Sequence, residues 1–324
     1  MSLLTQASLV LTPNAYKSSK LYSIIPSNGN GDMTFTRALS TATRINSSGV
    51  IETVNANVPR LNYTNGVASI LLEPSRTNRL LNSATVATQT ITTTAVANTL
   101  SFYGTGTITL SGTYTGSLVG TGTSNRVSLT FTPTTGSLIL TVSGSCTNGQ
   151  LENGSYVTSY IPTLGSTVTR NTDIITRSNI YTNGLITSAG GTWFIELNNN
   201  FSLTRDLATN FGIGDTNTLS NTNFSLRSFG TGRLTIVKFI AATQFTLYTT
   251  LTDTVKIAIK WNGLTADVYV NGTKVVSATA FTTTVMEYLK YDAFDVSRYI
   301  KSTMLFPTPL TDAECAYLTT LWVI

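Results

Sequence analysis

The sequence predicts an all-β protein, and three observations predict it. About one residue in five of the 324 is threonine, which suits a pleated surface while its hydroxyl keeps that surface wet. Only 11% of residues are charged, against about 25% in ordinary soluble domains. Short apolar–polar alternations recur between Gly-rich and Asn-Gly turns, the period-2 pattern of half-buried strands. With 41% hydrophobic residues and a formal net charge of +5, the chain does not read as disordered.

Residues 1–34 alternate apolar and polar groups without a helical period. Pro13 and Pro26 break them, and Asn28-Gly29-Asn30-Gly31 closes them. The reading is an extended N-terminal arm ending in a flexible joint. Leu3, Leu4, Leu9, Leu11, Tyr16, Leu21 and Tyr22 are too many apolar groups for a free tail. Either the arm docks onto another protein, or it is a strand tucked against its own domain.

Residues 35–83 carry Arg37, Arg44, Arg60, Arg76 and Arg79 within 43 residues. Each stands among Thr, Ser, Asn and Pro, so none belongs to a basic helix face, and the segment reads as a wrapping connector. Buried arginines need carboxylate or carbonyl partners. Glu52 and Glu73 are the nearest acids in sequence.

Residues 84–165 predict a small antiparallel sandwich. Thr107–Leu110, Val127–Phe131 and Ser137–Val142 alternate between Gly-rich turns. Residues 166–324 predict a second, larger sandwich. Trp193–Leu197 is one strand, and Lys256–Trp261 is another with Ile257, Ile259 and Trp261 on one face. Asn262-Gly263 and Asn271-Gly272 mark hairpin turns. Thr311 and Glu314 form a capping box that starts a short C-terminal helix, Asp312 to Leu321.

The chemistry is sparse. The chain has no histidine, which removes Ser-His-Asp and Cys-His pairs and His-based metal ligation. Cys146 and Cys315 sit in no metal or redox motif and read as buried apolar residues. Gly104-Thr105-Gly106 and Gly120-Thr121-Gly122 read as sheet turns, not phosphate loops. Glu196 has no acidic partner two or four residues on, and Asp292 with Asp295 reads as a solvated pair beside Lys290 and Arg298. The loop Gly214–Asn217 offers a single Asp, too few hard ligands for calcium. No cofactor and no enzymatic activity are expected. No basic patch with interleaved aromatics points to nucleic acid, and no apolar run reaches a membrane span. The first residues lack the regions of a signal peptide, so Sec export is not expected.

Several blocks carry a resemblance. Phe35-Thr36-Arg37, Ala42-Thr43-Arg44, Gly49–Glu52, Asn57-Val58-Pro59-Arg60 and Leu71-Leu72-Glu73-Pro74-Ser75-Arg76-Thr77-Asn78, in that order, resemble a module of tailed-bacteriophage fibre proteins. Gln150-Leu151-Glu152-Asn153-Gly154 followed by Thr158–Thr163 resembles the block that ends a carbohydrate-binding-module-like sandwich in those proteins. The run from Trp261 to Val276 resembles concanavalin-A-like or laminin-G-like sandwiches. Leu39-Ser40 and Arg79 depart from the pattern.

The resemblance implies a structural head-fibre subunit of the kind found on crAss-like phages, on the virion surface and assembled in the host cytoplasm. A tail-fibre receptor-binding lectin is the alternative, and a glycan depolymerase is disfavoured. On this reading Leu3, Leu4, Leu9, Leu11, Tyr16 and Tyr22 anchor the arm to a capsid or other virion protein. Arg37, Arg44, Glu52, Arg60, Glu73 and Arg76 hold a homotrimer together. Bacterial or mucin glycans are the external partners, bound by residues the sequence does not single out. Trp193 and Trp261 read as core, and Tyr103, Tyr114, Tyr248, Tyr288 and Tyr291 as aromatics of open placement.

Overall fold

The computed structural model describes residues 2–198, 210–216, 222–229, 233–237, 244–245, 254–280, 285–293 and 297–320. It is nearly all antiparallel β, with two helices among the described residues, Leu3–Gln6 and Asp312–Thr320. The chain forms two units. One comprises Met1–Ala38, Ile45–Pro74 and Thr172–Ile324, the other Leu39–Arg44 and Ser75–Asn171.

The first unit is a sandwich of two sheets. One runs Thr273–Ala280, Thr265–Val270, Thr254–Trp261, Gly191–Asn198, Arg298–Phe306, Val67–Leu72, Arg60–Thr64, and Leu9–Leu11 also pairs with Arg298–Phe306. The other runs Tyr16–Lys17, Lys20–Leu21, Met33–Thr36, Ile174–Ser178, Tyr288–Asp292, Asn210–Gly214, Thr222–Phe229, Arg233–Val237, Gln244–Phe245. Strand alternation sends Trp193, Ile195, Ile257, Ile259 and Trp261 from the first sheet, and Phe35, Ile175, Phe211, Ile213 and Leu289 from the second, into one core. The first sheet also buries its other face. Phe194, Ala258, Tyr269, Met304 and Phe306 pack with Leu3, Val10, Cys315 and Leu318.

The Thr311–Glu314 capping box is present. Thr311 Oγ1 accepts from the Glu314 N–H at 3.2 Å, and Glu314 Oε2 accepts from the Thr311 N–H at 2.9 Å. The helix is described to Thr320; the predicted end at Leu321 lies outside the described residues. Asn271-Gly272 is a two-residue turn, with φ of 46° and 85° between the paired Val270 and Thr273. Asn262-Gly263 is not. Trp261 pairs with Ala266, so this loop is longer, and Asn262 Oδ1 closes it by accepting from the N–H groups of Leu264 and Thr265.

The second unit is the small sandwich. Gln89–Thr93, Gly136–Ser143, Thr107–Gly112 and Gly116–Val119 form one sheet, and Gly122–Phe131, Asn98–Gly104 and Cys146–Asn153 the other. Leu100, Phe102, Ile108, Leu110, Leu138, Leu140, Cys146 and Leu151 are its core. The two Gly-Thr-Gly segments are sheet turns: a Cβ on Gly120 would lie 2.2 Å from the Gly104 carbonyl oxygen, so only glycine fits.

The boundaries differ from those expected. Residues 1–34 are not a projecting arm, because Leu9, Val10, Leu11 and Leu21 are fully buried in the first unit. Of the two readings of this segment, the structure shows the tucked strand. Residues 35–83 are not a separate connector either. Met33–Thr36, Arg60–Thr64 and Val67–Leu72 are strands of the larger sandwich, and the small sandwich begins at Ser75 rather than residue 84. The physical reason is the same in both cases: apolar residues this numerous are stabilised by burial in the nearest sheet rather than exposed on a tether.

Candidate functional site

Three motif residues and Asp173 converge on one buried ionic cluster inside the first unit. Arg37 and Arg60 are fully buried, Glu73 is 2% exposed, and Asp173 fully buried. Arg37 Nη1 donates to Asp173 Oδ1 at 3.0 Å. Arg60 Nη1 donates to Glu73 Oε2 at 2.7 Å, and its Nη2 pairs with Asp173 Oδ2. Further hydrogen bonds surround these pairs. Arg37 Nη2 donates to the carbonyls of Asn55 and Val58, the Arg37 N–H to Asn57 Oδ1, and the Glu73 N–H to Asp173 Oδ2. Two guanidiniums face two carboxylates, so the cluster is neutral. Burial lowers the Arg60 pKa, Asp173 and Glu73 more than reverse that, and the net direction is up.

The cluster's place in the chain explains it. The chain passes between units after Ala38, Arg44, Pro74 and Asn171. Arg37, Glu73 and Asp173 stand within two residues of three of those four passages, and the Asp173 N–H donates to the Glu73 carbonyl at 3.0 Å. The Phe-Thr-Arg, Asn-Val-Pro-Arg and Leu-Leu-Glu blocks therefore build a clasp that closes the larger sandwich around the long excursion 75–171.

The second unit has its own closure. Glu152, fully buried, accepts from the Thr158 N–H at 2.9 Å and the Thr158 hydroxyl at 2.6 Å. Gln150 Nε2 donates to Glu152 Oε1 at 2.8 Å, and Gln150 Oε1 accepts from the Ile161 N–H at 2.7 Å. Arg126 Nη1 donates to the Thr158 carbonyl, and Arg170 Nη1 to the Ser159 carbonyl. Strands Arg76–Asn78 and Val168–Arg170 pair directly, joining the two ends of this unit. The Gln-Leu-Glu and Thr-Ser-Tyr blocks thus form a polar latch.

The connector residues fall in different places. Arg37, Arg60 and Glu73 are together in the clasp. Arg76 lies in the second unit, 3.8 Å from Glu152 and over the Tyr156 ring. Arg44 is half-buried in the second unit; Glu52 is half-buried in the first and accepts from Asn46 Nδ2 at 3.2 Å. Asp173, the acid that joins both arginines, went unnoticed in the sequence because it stands 136 residues from Arg37. Arg170 and Arg177, whose spacing echoes Arg37 and Arg44, have unrelated roles. Arg170 serves the latch, and Arg177 donates to the Asn30 carbonyl.

Among the anchoring residues, Leu3, Leu9 and Leu11 are buried, while Leu4, Tyr16 and Tyr22 are half-buried. Trp193 and Trp261 are core residues, each 1% exposed. Tyr291 is also core, and its hydroxyl is bonded to Thr303 and Trp193. Tyr114 stacks on Phe131, Tyr103 lies under Arg126, and Tyr288 is half-buried on a strand. Tyr248 and Asp295 lie outside the described residues, as does Asn217. Asp292 is not in a solvated loop: it ends the strand Tyr288–Asp292 and is 8% exposed. Burial raises its pKa, with Lys290 at 3.5 Å opposing that.

A half-exposed ring of charges holds the C-terminal helix. Lys260 pairs with Asp267 at 3.4 Å and with Asp312, while Lys274 is 3.1 Å from each of the same two carboxylates. Among the described residues no group of three or more Cys, Asp or Glu side chains is placed to hold a metal ion.

No protein-family model and no curated protein matches the chain. Among solved structures it is similar to Trypanosoma rangeli sialidase in complex with 2,3-difluorosialic acid, at 10% identity, covering 45% of this chain and 26% of that one, with a TM-score of 0.37. It is also similar to the binding domain of botulinum neurotoxin DC in complex with SialylT, at 12% identity, covering 46% and 39%, with a TM-score of 0.35. The chain thus spans about a quarter of the sialidase and two fifths of the toxin domain. Likeness this distant carries no argument about activity, and the fold class rests on the sheets themselves.

Proposed function

We propose that this chain is a non-enzymatic structural protein of a bacteriophage virion, a head-fibre subunit that projects from the capsid and adheres weakly to surface glycans. The observation that carries the reading is the ordered set of fibre-type blocks from Phe35 to Asn78 and from Gln150 to Thr163. These residues supply the clasp and the latch, so they specify how a two-unit β chain is closed rather than how a reaction is run. A Thr-rich surface with few charges and buried motif residues suits a long-lived extracellular adhesin.

Self-association as a homotrimer remains part of the proposal, but the clasp is satisfied within one chain and leaves assembly to other surfaces. Attachment to the capsid is likewise assigned to the half-buried Leu4, Tyr16 and Tyr22 rather than to the buried leucines. Gold-labelled antibody against the chain, applied to intact particles, tests the reading. Label on the capsid supports the head fibre, label on the tail sinks it in favour of a tail fibre, and unlabelled particles remove the virion role.

A further inference from the structure

The positive charge of the chain is concentrated in its smaller unit. That unit carries five arginines, Arg44, Arg76, Arg79, Arg126 and Arg170, with no lysine, no aspartate and one glutamate, Glu152. Four of the chain's five net positive charges therefore reside there. Glu152 is fully buried in the latch, so the surface of this unit presents no carboxylate. Such an asymmetry between parts of one chain points to an acidic partner.

Arg79 is the arginine whose charge the unit leaves uncompensated. Arg76, Arg126 and Arg170 gather at the latch with Glu152, Tyr156 and Thr158. Arg79 instead lies where the strands Gln89–Thr93 and Cys146–Asn153 end and Asn98–Gly104 begins. Its Nη1 donates to Asn98 Oδ1 at 2.7 Å and to Asn153 Oδ1 at 2.9 Å, and its Nη2 donates to the Thr92 carbonyl. All three acceptors are neutral. A guanidinium has five N–H donors, so two of Arg79's, Nε–H and one on Nη2, are left over. Burial lowers the Arg79 pKa and no carboxylate opposes that, the reverse of Arg60. The place is open to solvent. Arg79 is half-buried, and Thr92, Asn153 and the neighbouring Thr94, Ala95 and Val96 are exposed.

We propose that Arg79 and Asn153 form a subsite for the carboxylate of an acidic surface polysaccharide. This rests on the reading of the chain as a glycan-adhering protein and adds the class of glycan. The two spare donors of a planar guanidinium suit the two oxygens of a planar carboxylate, and such charge-assisted bonds are stronger than neutral ones. The Asn153 side-chain amide, held beside Arg79 through its oxygen, offers its N–H groups to the same ligand. A neutral sugar would leave the guanidinium uncompensated. Single-stranded nucleic acid is bound through several phosphate contacts and aromatic stacking, whereas this site has one fork among Thr92, Asn98, Asn153 and no aromatic ring in the loop Thr94–Ala97.

The test uses the full chain, displayed on beads for avidity. It is challenged with carboxylated polysaccharides (alginate, hyaluronan), neutral dextran and single-stranded DNA. Wild type should be retained on at least one carboxylated polysaccharide, less so as salt rises, and not on dextran. Arg79→Met should weaken retention about tenfold, as should Arg79→Lys, which keeps the charge and loses the fork. Lys17→Met, which removes one exposed charge from the other unit, should leave it within about twofold.

Asn153→Asp separates binding from folding. It sets a carboxylate of the chain's own against Arg79, so retention should fall about as far as in Arg79→Met. Labelling of the buried Cys146 thiol against denaturant, which reports this unit, should show a midpoint unchanged or raised. An Arg79 that only ties strand ends would leave retention intact in Asn153→Asp, and that result overturns the subsite. Retention by Arg79→Lys equal to wild type overturns the fork. Tighter retention on DNA than on either carboxylated polysaccharide overturns the ligand class. Retention on dextran alone overturns the subsite and leaves the adhesive reading standing. Wild type retained on nothing ends both, and does not touch the particle-labelling result.

Discussion

Asp173→Asn should unfold the larger sandwich far more easily while leaving the small one intact. The substitution keeps the shape and removes one charge. Asp173 Oδ1 accepts from Arg37 at 3.0 Å, and Oδ2 pairs with Arg60 and accepts from the Glu73 N–H at 2.9 Å. All four side chains are at most 2% exposed, so water cannot replace the lost carboxylate. Two buried guanidiniums are then left with the single carboxylate of Glu73. Removing one partner of a buried pair destabilises by about 3–5 kcal/mol. For a unit of this size, about 2–4 °C per kcal/mol, the midpoint should fall by roughly 6–20 °C.

The assay separates the units without cutting the chain. Trp193 and Trp261 are in the core of the first unit, and the second unit contains no tryptophan, so fluorescence reports the first unit and not the second. Cys146 lies in the second unit and Cys315 in the first, both buried, so thiol labelling against denaturant reports each separately. Burial pushes the Cys315 thiol up to about 12, which keeps it unreactive at neutral pH until the sandwich opens. The expected result is an early loss of tryptophan signal and early labelling of Cys315, with Cys146 unchanged. A midpoint shift under about 2 °C, below what 1 kcal/mol would give, refutes the clasp. Replacing all four residues with Met and Leu should recover most of the loss, since desolvation disappears together with the charges.

Three further outcomes are expected. Glu152→Gln should expose Cys146 at lower denaturant without moving the tryptophan transition, because it weakens three hydrogen bonds to one buried carboxylate, each worth about 1.5–3 kcal/mol. Deleting residues 2–11 removes the fully buried Leu9, Val10 and Leu11. At about 1.5–3 kcal/mol each the loss rivals the stability of a whole domain, so the tryptophan transition should vanish; a folded truncation that merely fails to join particles would restore the anchor reading. Asp312→Asn should lower the midpoint slightly at pH 7. The Asp312 carboxyl is held well below its ordinary range by Lys260, Tyr269 and Lys274, so its contribution is full above about pH 4 and is lost only as the pH falls through that depressed folded value; a difference that persists in 1 M salt would rule the charge ring out as its cause.

The fold was legible where the determinant was local. Period-2 alternation located Gly191–Asn198, Thr254–Trp261, Thr107–Gly112 and Gly136–Ser143, and the Thr311–Glu314 pair located the helix. Asn65-Gly66 is an equally good hairpin signal, with φ of 49° and 77° between the paired Thr64 and Val67, and it marks residues 60–72 as sheet rather than connector. What was not legible was topology. Leu9–Leu11 pairs with Leu305, Met304 and Thr303, nearly three hundred residues away, and no local pattern encodes that choice. The candidate site was half legible for the same reason. Glu73 was identified as a partner because it lies 13 residues from Arg60, whereas Asp173 lies 113 away.

That difference bears on how the arginine spacing is to be understood. Arg37, Arg60, Arg76 and Arg170 stand among polar residues, which on the surface of a sequence resembles a solvated tether. Yet Arg37, Arg60 and Arg170 are fully buried. The two observations agree once the chain path is considered. Where a chain leaves a sandwich and later returns to it, its backbone groups have no ladder partner, and a buried N–H or C=O left unpaired is costly. Guanidiniums suit that situation, since each carries five donors and reaches carbonyls and carboxylates together. Arg37 bonds two carbonyls and a carboxylate, and Arg170 a carbonyl and two hydroxyls. Arg37 stands on irregular backbone and Arg60, Arg76 and Arg170 at strand ends, so their polar neighbours mark where ladders begin and end, not exposure. A run of arginines in a charge-poor β protein is thus better read as the positions where its chain changes sheet or unit.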